Sequence, residues 1–412
     1  RPNLLAAIRH ASDHAQPRRA IALTADLALL LHADGPGSQA IALHTAAASM
    51  AVSLADQRSL AGALTELAHV RRITSSGHHG AVSDLEYALE IYRSLGERSG
   101  QAYVLLRLAD ARRRAGDHLD AAGDLEQALE IYKSLGERRG QAQALAQLGD
   151  VRRLTGDYPG AVGDLELALE IYRDFGERSG QAYVLLRLAD VRRLTGDYPG
   201  AVDDLEHALQ ICTSLGDRLG QAHVLTWLVM VRLLLTGDCQ GMTRDLEHAF
   251  ETYADIGELN GQAQVMTVLG RVQLSAGDLQ DAASHLEAAL DMFRRLGSRG
   301  NETWALNEYA AVIAATGDHT HARNLYHDAL RHARAMKQPD EEALALEGTG
   351  ECHLRAGDVQ TGIAYLEQAL KIFQRVGMKP DAGRVRTRLT QLQDIPHDEI
   401  PPPAPAAAET GT

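Results

Sequence analysis

Between residues 101 and 135 the apolar side chains fall into two stripes. Leu105, Leu108 and Ala109 lie three and four residues apart, and Ala121, Leu125, Ala128, Leu129 and Tyr132 form a second stripe after the pair Gly116-Asp117. Each spacing is one face of an α-helix, so the pattern predicts two helices joined by a tight turn, each with one face to bury. Gly116 suits a left-handed helix stop, and Asp117 can cap the free amides that open the second helix. In Asp157-Tyr158-Pro159 the proline falls in the first helical turn, where its missing amide proton costs little.

The same two stripes recur. Gln101 to Asp110 is repeated letter for letter as Gln181 to Asp190, and Val151 to Val162 as Val191 to Val202, which sets a unit of 40 residues. Gly-Asp pairs at Gly116, Gly156, Gly196, Gly237, Gly277, Gly317 and Gly357 mark one turn of each unit, and only the interval from Gly196 to Gly237 is a residue longer. Glycines 96, 136, 176, 216, 257, 297 and 377 mark the other turn. A helical hairpin cannot hide its own stripes, and at least three stacked neighbours are needed to supply a core. The pattern therefore predicts an all-α, right-handed superhelical solenoid of about nine helical hairpins plus terminal helices. Its expected divisions are an N-terminal helix at 1–17 leading from an upstream module, a hairpin array at 18–376, a capping helix at 377–394 and a disordered Pro/Ala-rich tail at 395–412.

Leu105, Leu108, Ala109, Gly116-Asp117, Ala121, Leu125 and Ala128, repeated through the chain, resemble the tetratricopeptide repeat (TPR) in its 40-residue form, as in kinesin light chain and the Pins-like spindle scaffolds. One departure is Arg112, Arg152 and Arg192, where that family commonly has an aromatic. A second resemblance lies at the start. Arg1-Pro2-Asn3-Leu4-Leu5-Ala6-Ala7-Ile8-Arg9-His10 is similar to the stretch that opens the repeat region in actinobacterial NB-ARC (STAND-type) transcriptional regulators of the antibiotic-regulatory, AfsR-like group. That resemblance implies a DNA-binding domain, an NTPase module and a winged helix ahead of the repeats. The start at Arg1 without methionine, running at once into Leu4, Leu5, Ala7 and Ile8, is what a segment cut from a larger polypeptide is expected to look like. ATP or ADP would belong to that upstream module, and no cofactor is expected in this chain.

Composition narrows the partners. The net charge is -14, and among the basic residues only Lys133, Lys337, Lys371 and Lys379 are lysines, so no basic stripe is available for direct nucleic-acid binding. Three cysteines, Cys212, Cys239 and Cys352, are too few and too unpatterned for a disulfide scaffold and fit a reducing compartment, with the cytoplasm as the expected location. No unbroken apolar run reaches the roughly 20 residues that span a bilayer, and no membrane partner is expected. No lysine follows a glycine as a phosphate-cradling loop requires, and no nucleophile elbow is present. His319, His321, His327 and His332 read as solvated surface rather than metal ligands. Catalysis is not expected.

Binding is. In the fold the repeats resemble, the first helix of each pair lines a concave groove. On this chain that places Tyr103, Leu106, Arg107, Asp110 and Arg113 there, then Gln143, Ala146, Gln147, Asp150 and Arg153, then Tyr183, Leu186, Arg187, Asp190 and Arg193. The Asp and Arg of each set, three apart, either hold exposed helices together at a few tenths of a kcal/mol per pair or, with Arg107, Arg187 and the tyrosines, recognise a peptide or domain. In the longer unit, His223, Trp227 and Met230 replace Tyr183, Arg187 and Asp190, and Trp304 continues the apolar patch. Cys212 stands there for the aromatic found at Tyr92, Tyr132, Tyr172 and Tyr253. Trp227 and Met230 then either refill vacated space or form an anchor site, with His223, Trp227, Met230 and Trp304 unusually exposed. The extra residue is expected within Leu233 to Leu235, as a π-type bulge or a lengthened helix. The resemblances together imply a sensor region that controls an upstream NTPase and DNA-binding module through a protein, a peptide, the NTPase module itself or a small apolar effector. The alternative is a free-standing scaffold for a peptide or partner helix. The sequence sets no oligomeric state.

Overall fold

A computed structural model describes residues 6–8, 10–11, 16–26, 37–73, 78–239 and 241–393. The proposed tail, the first five residues of the Arg1 to His10 motif, and Arg9 within it, lie outside them. The chain forms two compact units, residues 1–151 and 152–412, each built of consecutive antiparallel helical hairpins. Among the described residues of either unit there is no strand.

Unit one contains α1 (Pro17–Asp26), α2 (Gly37–Ser53), α3 (Gln57–Ile73), α4 (His78–Ser94), α5 (Arg98–Ala115), α6 (His118–Leu135) and most of α7 (Arg138–Thr155). The expected stripes face inward: Leu105, Leu108 and Ala109 of α5 and Ala121, Leu125 and Ala128 of α6 are buried. Full burial of one such leucine stabilises by roughly 1.5–3 kcal/mol, and Ala128 lets the neighbouring helix come close. Gly116 stops α5 in the left-handed region at φ 87°, as its position requires. Asp117, however, makes no side-chain bond to the amides of α6, so the expected cap is not formed there.

Two devices that recur every 40 residues explain residues the stripes leave out. A glycine in the first turn of several leading helices, at Gly100, Gly140, Gly180 and Gly261, leaves room for a tyrosine of the preceding helix: a Cβ on Gly140 would sit 2.4 Å from Tyr132 Cδ1. Gln141 then donates to the Tyr132 carbonyl at 3.3 Å, satisfying one of the open acceptors at the end of α6. The second device involves the arginines that stand where an aromatic is common. Arg112 donates to Asp124 of its own hairpin at 2.7 Å and to Glu86 at 2.8 Å, so an ion pair takes the place of ring packing.

Unit two runs from the end of α7 through α8 (Tyr158–Asp174), α9 (Arg178–Thr195), α10 (Tyr198–Leu215), α11 (Arg218–Thr236), α12 (Met242–Ile256), α13 (Leu259–Ala276), α14 (Leu279–Leu296), α15 (Arg299–Ala315), α16 (His319–Met336), α17 (Pro339–Arg355), α18 (Val359–Val376) and α19 (Lys379–Gln393). Both devices return: Gly180 faces Tyr172, and Arg152 and Arg192 reach Asp164 and Asp204 at 2.7 and 2.6 Å. Asp157 and Asp197 do cap, each accepting from the amide three residues on at 3.1 Å.

The irregular unit is resolved in its first helix. α11 has 19 residues where α9 has 18, it remains an α-helix throughout, and α12 begins only at Met242, with 15 residues and no side-chain cap. The extra residue thus lengthens α11 rather than forming a π-bulge. By length and composition α11 could cross a membrane. Here it is a core helix instead, with Val224, Leu228, Val229, Val231 and Leu233 buried among its neighbours.

Within unit two the first turns meet the last helices. A Cβ on Gly156 would lie 2.5 Å from Val376 Cγ1 and 3.2 Å from Pro339 Cγ, and one on Gly196 would lie 2.4 Å from Pro380 Cγ. Turn glycines 216, 237, 257, 277, 297, 317 and 357 have nothing that close. The array of unit two therefore curves far enough for the turns before α8 and α10 to meet the last three helices, and Asp340 of α17 is brought into the field of Asp190 and Arg193 of α9.

Candidate partner-binding surface

The inner residues of the leading helices form a ladder whose rungs join residues 37 apart in the chain. In unit one, Arg113 pairs with Asp110 of its own helix at 2.8 Å and reaches Asp150 of the next at 3.5 Å. Tyr103 donates to Glu66 at 3.0 Å and accepts from Arg107 at 2.9 Å, while the Arg107 guanidinium lies 5.0 Å from the Tyr103 ring centre. Gln147 is half-buried.

In unit two the same rung is tighter. Asp190 takes Arg193 of its own helix at 2.8 Å and Arg153 of the preceding one at 3.1 Å. Both arginines hold its carboxyl below the usual range against the opposing effect of burial. The rung recurs as Arg271–Glu308, Glu347–Arg384 and Glu351–Arg388, all between 2.7 and 2.9 Å at their shortest. The i, i+3 pairs read in the sequence are therefore half of a larger device that also joins successive repeats.

At α11 the ladder stops. Met230 stands where the next aspartate would be, and Arg193 instead lies 5.6 Å from the Trp227 ring centre. Trp227 in turn stacks on Trp304 of α15, with centroids 5.6 Å apart and planes inclined by 22°. Both indoles are half-buried against a core that includes Met230, Met242, Leu246, Tyr253 and Val268. A cleft lined by Leu186, Arg187, Asp190, Arg193, Trp227 and Val231 adjoins the pair. His223 is half-buried, and burial and the nearby Arg187 push its imidazole down to about 4. Tyr183 is 38% exposed and carries Arg187 at 5.2 Å from its ring centre.

Several expected positions differ. Met230 is only 4% exposed, because α11 turns it into the core with Leu233 and Met242 rather than toward the groove. Leu106, Ala146 and Leu186 are also buried, since the inner stripe of a stacked helix is narrower than half its circumference. Asp150 is buried as a rung. His321 and His327 sit edge-on to Tyr309 and Tyr365, so they are surface residues with ring partners. Among the described residues no group of three or more His, Cys, Asp or Glu is placed to hold a metal ion. Asn307, Asp340 and Glu341 were not singled out in the sequence, and the structure brings them to this surface. The only sequence signal for Glu341 is that it follows Trp304 by the rung spacing of 37.

Residues 99–174 and 314–375 match models of the tetratricopeptide repeat, so the chain carries such repeats. No curated protein matches it. Among solved structures, the apo form of RapI is 17% identical, with a TM-score of 0.57 over 67% of this chain and 98% of that one. The Rap conjugation gene regulator of plasmid pLS20, solved in complex with the Phr* peptide, is 15% identical with a TM-score of 0.54 over 96% and 98%. Aspartyl phosphate phosphatase F from Bacillus subtilis is 10% identical with a TM-score of 0.54 over 87% and 95%. At these identities the likeness is one of fold.

Proposed function

We propose that the chain is a peptide- or protein-binding sensor, with the Trp227–Trp304 stack as the anchor of its binding surface. One observation carries this reading: two half-buried indoles stack on each other at the point where the ion-pair ladder is interrupted. In the neighbouring repeats, by contrast, Asp190, Arg153 and Arg193, and Arg271 and Glu308, satisfy one another. Aromatic anchors concentrate binding energy, and flanking arginines fix the orientation of what they hold. A structural relative solved with a bound peptide is consistent with that use of the fold.

The wider setting we propose is a cytoplasmic STAND-type transcriptional regulator, in which groove occupancy controls an upstream NTPase and DNA-binding module. It rests on the resemblance of the Arg1 to His10 stretch. A Walker A loop and a winged helix encoded ahead of Arg1 are the expected finding, and their absence would leave the free-standing scaffold.

The binding surface itself is tested by Trp227→Ala. Against a peptide selected from a library on the full chain, the variant should lose about 2 kcal/mol of affinity, with a smaller loss of stability. A large fall in melting temperature with unchanged affinity would show that the indole is packing alone.

A further inference from the structure

Beside the stacked indoles, unit two holds two acids and a buried amide oxygen that lacks a donor. Asp340 and Glu341 open α17 and are half-buried. Acids in a first helical turn are ordinary complements of the helix dipole, so their position alone assigns them no role. Asn307 supplies the independent observation. It lies one turn from Trp304 on α15, is 6% exposed, and donates its amide to the Glu341 carbonyl at 3.1 Å and carboxylate at 2.7 Å. Its own Oδ1 is buried with no protein partner. The Tyr158 hydroxyl, on a side chain only 1% exposed, is likewise without a partner and lies in the field of Asp340.

The arginines close enough to neutralise the two acids are already engaged. Arg153 and Arg193 both bind Asp190, and Arg193 also faces Trp227. Burial raises the Asp340 and Glu341 carboxyls above the usual range, as expected of acids whose counter-charge is incomplete.

The geometry points to a receptor for a guanidinium group, in which Asp340, Glu341 and the Asn307 carbonyl oxygen accept the N–H donors of an arginine side chain on a bound peptide, beside the Trp304 and Trp227 rings. This rests on the peptide-binding reading above and adds the class of side chain recognised. A planar guanidinium offers five donors in a fork that matches carboxylates, and indole faces attract cations. An anionic group would meet two carboxylates and a carbonyl oxygen. An uncharged one would leave the acids as they are. Helix-dipole complementarity accounts for the acids but leaves the Asn307 acceptor unexplained.

The test uses the full chain and two acetylated, amidated tetrapeptides, Ala-Phe-Arg-Ala and Ala-Phe-Glu-Ala. The chain has two tryptophans, the stacked pair itself, so intrinsic fluorescence reports this site, and calorimetry gives an independent affinity. The arginine peptide should saturate the signal with a Kd at least about tenfold below that of the glutamate peptide, because a desolvated charge pair is worth that much or more. In a chain carrying Asp340→Asn and Glu341→Gln the preference should vanish, while the melting temperature stays at or above the parent's. Equal binding of the two peptides, or a preference that survives the double substitution, would overturn the guanidinium receptor and leave the groove reading standing. No fluorescence change and no heat with either peptide at millimolar concentration would overturn both.

Discussion

Two adjacent repeats of unit two, α9–α10 and α11–α12, share a template and use it differently. In α9 the inner carboxylate has a role in the scaffold: Asp190 joins Arg193 to Arg153 and so ties one repeat to the one before it. In α11 the equivalent positions carry His223, Trp227 and Met230, and the tie is gone. The capping turns diverge as well. Asp197 caps α10, whereas α12 opens late and without a side-chain cap. A regular repeat spends its inner face on holding the array together. An interrupted one leaves that face without the tie, which is what the proposed binding role requires, and the difference appears where a charged residue becomes aromatic rather than where the fold changes.

The most severe way to break the comparison is to remove the rung. Asp190→Ala leaves Arg153 and Arg193, which are 13% and 22% exposed, without their shared carboxylate. Loss of one partner from such a buried group should lower unfolding stability by about 3 kcal/mol, seen as a reduced denaturation midpoint. A loss under about 1 kcal/mol is the value of a surface ion pair and would mean that α9 is no better tied than α11.

Acid should act on the other repeat. His223 stands where Tyr183 stands in α9, and its folded-state pKa is lowered to about 4 by burial first and Arg187 second, against the opposing pull of Asp190. Because the folded form holds the imidazole neutral, its contribution is complete above the unfolded value near 6.5. It is lost as pH falls from there toward 4. The expected loss is about 2 kcal/mol by pH 4, after allowance for partial solvent access. In His223→Tyr, which restores the regular residue, this part of the acid sensitivity should disappear from melting curves taken between pH 7 and 4. An unchanged acid profile would place the sensitivity in the carboxylates instead.

The hairpins were legible because the 40-residue beat fixes which face of each helix is apolar, and turn glycines read from it, such as Gly216 and Gly377, do end α10 and α18. The exchange of Trp227 and Met230 for Arg187 and Asp190 was legible for the same reason. Depth was not. Periodicity assigns Met230 to a face, but only the packing of α11 against α12 and α13 shows that this part of the face is core. The meeting of Gly156 and Gly196 with Val376 and Pro380 was not legible either, since curvature is the sum of small rotations over many repeats and no local pattern encodes it. Asp340 and Glu341 reach the surface beside α9 through that curvature, which is why nothing in the sequence beyond the spacing of 37 from Trp304 to Glu341 pointed to them.

The smallest expected effect tests whether α11 was remodelled for packing or for binding. Cys212 is buried over Gly220, where a Cβ would lie 2.7 Å from its sulfur. In the regular repeats Gly140 and Gly180 offer the same bare backbone to the rings of Tyr132 and Tyr172. Gly220 thus retains the seat of a tyrosine that is not there, and Met230 packs ten residues further along α11 in a cluster with Met242 and Leu246. If the seat is open, Cys212→Tyr buries an additional ring without displacing Trp227 or Met230 and should raise stability by about 1 kcal/mol, the value of a partly buried ring. Peptide affinity should be unchanged. If Trp227 and Met230 have already refilled the space, the new ring overpacks the site and stability falls by about 1–3 kcal/mol, so the sign of the change in melting temperature decides between the two accounts of this repeat.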